Sequence, residues 1–110
     1  MENILNFCIK QKGSDACVEI LGGLTPEKVY DVYTCIKEDL SPKCKNFTID
    51  LKNINQFTAL GMFLLSSVVR ELKTSIESIG ILGVPDNHQN DFRNLGITCI
   101  TKNTNLLHSK

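Results

Sequence analysis

The side chains able to do chemistry in this sequence do not gather into a familiar set. Cys8, Cys17, Cys35, Cys44 and Cys99 are odd in number, and no two stand at the CxxC spacing of a zinc or redox pair. His88 and His108 stand alone, so no metal-ligand set is expected. Asp15, Asp50, Asp86 and Asp91 fall in unrelated segments, and no Ser-His-Asp or Cys-His signature is readable. Gly22-Gly23, Gly80 and Gly83 lack the following Lys-Ser/Thr of a phosphate-cradling loop. Ser66 and Ser67 sit inside a helical pattern, where hydroxyls bond back to the preceding turn. Tyr30 and Tyr33 belong to an amphipathic helix and read as the edge of a core, and His88 reads as a surface residue. The expectation is a protein without catalytic residues, metal or cofactor, its thiols reduced and acting as small apolar side chains.

One segment is placed to act. Asn55-Gln56-Phe57-Thr58-Ala59-Leu60-Gly61 follows the strand expected at 46–51 and opens a helix, the position where open α/β sheets present their binding loops. It reads either as a docking surface for a partner protein or as a connector whose Phe57 and Leu60 pack inward. A helix N-terminus also attracts phosphate, which keeps a nucleotide-binding sensor among the alternatives.

The elements that position this segment follow from pattern. Residues 4–12 and 16–24 flank Lys12-Gly13-Ser14-Asp15, the signal of a two-residue type II′ hairpin that pairs Ile9 with Val18 and Phe7 with Ile20. Thr25-Pro26-Glu27 starts a helix, with Thr25 as N-cap. Val29, Val32, Tyr33, Ile36 and Leu40 form its apolar stripe, and Ser41-Pro42 ends it. Residues 46–51 make a strand, 53–57 a short loop, and 58–73 a heavily buried second helix. Residues 78–84 make a strand stopped by Pro85, Asp86-Asn87 cap a short helix carrying Phe92 and Leu95, and Ile97 to Ile100 form a last strand. The order β-β-α-β-α-β-α-β predicts an α/β fold with a mixed sheet of about five strands: an antiparallel hairpin, then parallel neighbours joined by right-handed crossovers.

Composition agrees with one globular domain over 1–110, its core at about 4–101 and residues 102–110 frayed. Apolar residues are 42% and charged residues 22%, and twelve basic side chains balance twelve acidic ones. That balance leaves no electrostatic footprint for nucleic acid or an anionic membrane. Ala59 to Val69, the longest apolar stretch, is too short to span a bilayer, and MENILNFCIK lacks a signal layout, so a soluble cytoplasmic protein is expected.

The order of elements, together with NFTIDLKNINQFTALGMFLLSSVVRELK, resembles the STAS domains, named for sulfate transporters and anti-sigma factor antagonists. Ile49-Asp50-Leu51 is similar to the family's apolar-Asp-apolar strand end, and Gly61 to the glycine of its DSSG or DSAG motif. Ile79 to Pro85 resembles its next strand, and Phe92-Arg93-Asn94-Leu95-Gly96-Ile97 its third helix and exit. The resemblance implies a STAS-like fold and a bacterial, non-enzymatic regulatory module acting in signalling and transcription regulation. Its partner would be an anti-sigma kinase-like protein or a signalling complex, docked through Asn55, Gln56, Thr58, Ala59, Leu60 and Gly61. The alternative is a small cytoplasmic STAS subunit of an ABC-type lipid transport system, docked on its ATPase. Aligned on Gly61, however, the family's aspartate falls on Thr58, and the serine that partner kinases phosphorylate falls on Leu60, which has no hydroxyl. Phosphorylation is therefore not expected there. Thr58 is the nearby hydroxyl, and an N-cap role would engage it.

Overall fold

The computed structural model describes residues 7–76, 78–94 and 97–100. The ends of the chain, including the tail expected to fray at 102–110 and the strand start expected at 4–6, lie outside the described residues, as does the expected helix stop at Leu95-Gly96.

Strands β1 (Phe7–Lys12) and β2 (Asp15–Ile20) form the expected hairpin. Gly13 sits at φ 61, a left-handed conformation that glycine adopts without a Cβ penalty, and Ile9 pairs with Val18 and Phe7 with Ile20. The second strand ends earlier than its sequence pattern suggested. After Leu21 the chain starts a separate strand, β3 (Gly22–Leu24), which leads into helix α1 (Pro26–Thr34). Thr25 is its N-cap: the Lys28 backbone N–H donates to the Thr25 hydroxyl at 3.3 Å. The helix continues over Cys35–Leu40 as a wider π-type turn, closed by Ser41 N–H to the Ile36 carbonyl at 2.7 Å. Val29, Val32, Ile36 and Leu40 are buried as the stripe predicts, whereas Tyr30, expected at the core edge, is 65% exposed.

Strand β4 (Asn46–Asp50) is followed by a correction. The expected loop at 53–57 contains strand β5 (Ile54–Phe57), which pairs in parallel with β3 as a two-stranded sheet. Helix α2 (Ala59–Leu72), strand β6 (Ser78–Leu82), helix α3 (Gln89–Arg93) and strand β7 (Thr98–Ile100) complete the order. Asp86 and Asn87 do not cap α3. They form a 3₁₀ turn, Asp86–His88, ahead of a helix that has no side-chain cap.

The main sheet has five strands in the order β1-β2-β4-β6-β7, antiparallel only at the hairpin. Each parallel crossover steps the same way across the sheet, so right-handed connections carry all three helices to one face. On that face Ala16, Val18, Ile20, Phe47, Ile49, Ile79 and Ile81 join helix residues such as Val32, Leu65, Val69 and Phe92 in one core. By register the opposite face carries Cys8, Lys10, Cys17, Glu19, Thr48, Asp50, Gly80 and Leu82. Asp50 is nevertheless only 7% exposed. It accepts the Lys52 backbone N–H at 2.8 Å and lies 3.8 Å from the Lys52 ammonium, as a buried carboxylate requires.

Candidate functional site

The segment at 55–61 is built by the small sheet and a helix cap. Parallel pairing of β3 with β5 sets Gly23 opposite Gln56 and Leu24 opposite Phe57. Asn55 and Gln56 are exposed, and Phe57 is half-buried against the core. Thr58, in extended conformation at ψ 153, is the N-cap of α2. Its hydroxyl accepts the Gly61 backbone N–H at 2.9 Å and donates to the Leu24 carbonyl at 3.4 Å. One side chain thus fastens the helix start and ties it to β3. Gly61 faces the same carbonyl. A Cβ there would lie 2.2 Å from the Leu24 oxygen, so only glycine lets α2 approach β3 this closely.

That approach sets the rotation of the helix. Gly61, Met62, Leu65, Val69 and Leu72 turn inward, while Ala59 and Leu60 face out. Leu60 is 57% exposed, and Phe63, one turn further on, is 65% exposed. Of the connector reading, Phe57 packs inward and Leu60 does not. Phe63 was not anticipated from the sequence. The signal was present, because position 63 falls off the 62, 65, 69, 72 stripe, but an all-round apolar helix masked it.

Beside these residues a groove of about 480 Å³ runs between α2 and α3. Ala59, Met62, Phe63, Ser66, Ser67 and Arg70 line one wall, and His88, Asp91 and Asn94 the other. The hydroxyls of Ser66 and Ser67 both donate back to the Phe63 carbonyl, at 2.8 and 3.1 Å, as their mid-helix positions predict. His88 Nδ1 lies 3.2 Å from an Asp91 carboxylate oxygen, within one turn of chain.

The other reactive groups stay apart. All five cysteines are free thiols. Burial pushes the Cys17 thiol above its ordinary range, with the nearby Asp50 carboxylate adding to the effect, and burial raises Cys35 and Cys99 likewise. These thiols are held protonated, the opposite of what a nucleophile or metal ligand needs. Among the described residues no group of three or more His, Cys, Asp or Glu side chains is placed to hold a metal, and no helix is long and apolar enough to cross a membrane.

No family model matches the sequence, and no curated protein matches it. Solved structures do. The anti-sigma factor antagonist SpoIIAA in its unphosphorylated form superimposes with a TM-score of 0.64 at 14% identity, covering 88% of this chain and 89% of that one. An anti-sigma factor antagonist from Mycobacterium paratuberculosis gives a TM-score of 0.63 at 11% identity over 87% of this chain and 85% of its own. An uncharacterized DUF3478 protein with a SpoIIAA-like fold, from Shewanella loihica, gives 0.56 at 12% identity over 93% and 92%. Superimposing over nearly its whole length, the chain has the fold of the anti-sigma factor antagonists, the STAS fold.

Proposed function

We propose that this protein is a non-enzymatic regulatory interaction module that docks a partner protein through Asn55, Gln56 and the start of α2 at Thr58 to Gly61. The observation that carries this reading is Leu60. A leucine held 57% exposed at a helix start, beside a 65% exposed Phe63, leaves apolar surface in water that a partner would cover. Fold likeness to anti-sigma factor antagonists makes a protein partner the natural occupant. Binding is constitutive in this reading, because Leu60 cannot take a phosphate and the Thr58 hydroxyl is engaged at both ends.

Leu60→Glu tests the site. Burying an unpaired carboxylate in an apolar interface is costly, whereas at the first turn of a helix an exposed carboxylate is electrostatically favoured. The variant is expected to keep its circular dichroism spectrum and to lose the partners that the wild-type protein retains on affinity capture. A soluble ATPase-fold protein among the lost partners supports a role in signalling, and a membrane ABC ATPase supports a role in transport. Equal capture by both forms places the docking surface elsewhere.

A further inference from the structure

We infer that the groove between α2 and α3 receives a helical segment of the partner, one that presents an apolar side chain to Phe63 and, two turns along, a carboxylate to Arg70. This rests on the docking reading above and extends it to the chemistry of the partner. The groove's α2 wall spans Ala59 to Arg70, roughly 16 Å of helix, enough to seat about three turns of a partner helix. Its two ends differ in character. Toward one end the buried Met62 and the exposed Phe63 make its lining apolar. At the other, the exposed Arg70 guanidinium makes no hydrogen bond or ion pair with the described residues. Arg70's neighbour Glu71 acts electrostatically on Lys37 of the first helical segment.

Among the described lining residues the one carboxylate, Asp91, lies 3.2 Å from His88 Nδ1 within its own turn of chain. Arg70 is thus the lining cation left without a partner among the described residues, and it sits at one end, seven residues from the apolar anchor. A planar guanidinium in that setting favours a carboxylate, which it binds by charge-assisted paired hydrogen bonds. Seven residues along a helix is about 10 Å, so a partner helix lying along α2 would match anchor and charge at positions i and i+7.

The test is selection from a displayed library of helical peptides, randomised on one face, against the wild-type protein. Enrichment of sequences pairing an apolar residue with Asp or Glu seven positions away is expected. The selected peptides should bind Arg70→Glu at least about tenfold more weakly, and changing their acid to Lys should restore binding to that variant. Amide shifts in NMR titration should map to α2 and α3. Arg70 is exposed, so circular dichroism of Arg70→Glu should match the wild type. Enrichment of basic sequences, equal binding to Arg70→Glu, shifts mapping elsewhere, or no enrichment would each overturn the inference. So would concentration-dependent self-association that Phe63→Glu abolishes, since a second copy would then be the occupant. Loss of native partners in Leu60→Glu but not in Arg70→Glu would remove this inference and leave the proposed docking site standing.

Discussion

At the scale of single residues, three neighbours in the chain do three different jobs. Thr58 holds, Gly61 permits and Leu60 presents. Thr58 satisfies the Gly61 N–H and reaches the Leu24 carbonyl, so Thr58→Ala should cost about 0.5–2 kcal/mol in urea unfolding, with Thr58→Ser recovering most of it. An unchanged midpoint in the alanine variant would mean the cap is made otherwise. Gly61→Ala should cost more than its single methyl suggests. The intruding atom would meet a backbone oxygen, which cannot swing away as a flexible side chain can, and overpacking of this kind costs about 1–3 kcal/mol. Leu60 carries little of the stability, which is why its substitution separates binding from folding.

At the scale of elements, the first helix shows how a local signal and a packing demand divide one segment. Thr25 and Pro26 set its start, and Thr25→Ala should weaken the fold by about 0.5–2 kcal/mol, read from the denaturation midpoint. No change there would show that the helix begins elsewhere. Its end answers to the core instead. Through the widened turn over Cys35–Leu40, Ile36 and Leu40 both stay buried, at 0% and 5% exposure. The β3–β5 ribbon is a second such case, since its two short strands exist by pairing with each other and by holding α2 against them through Leu24.

At the scale of the whole molecule, all five thiols are free. Titration after unfolding in the absence of reductant should therefore count five reactive groups, and a count of one would mean two disulfides. In the native protein Cys17 should react slowly at neutral pH, because burial and the Asp50 charge hold its thiol protonated. Linkage gives the sign of its effect on stability. The folded-state pKa lies above the unfolded one, so this contribution is complete below the ordinary thiol pKa and declines as pH rises through it toward the folded value. Stability should accordingly fall on the alkaline side, and Cys17→Ser should flatten that fall. An alkaline limb unchanged by the substitution would assign it to other groups.

Much of the architecture was readable in the chain itself, where the deciding interaction spans only a few residues. The Gly13-Ser14 turn, the N-caps at Thr25 and Thr58, and the back-bonding of Ser66 and Ser67 all close within four positions of sequence, and the turn then fixes the hairpin register. Alternation and order of elements then led to a mixed sheet of about five strands, a hairpin followed by parallel neighbours, and the structure sets them in the order β1-β2-β4-β6-β7. What only the tertiary structure decided was exposure. Ile9 and Val18 share one face of the hairpin, yet Ile9 is 41% exposed and Val18 is fully buried, because Ile9 lies on the edge strand. Leu60 and Phe63 are as apolar as Met62 and Leu65. Their outward aim was set by how closely Gly61 brings α2 to the Leu24 carbonyl, a contact between residues thirty-seven positions apart that no local pattern encodes.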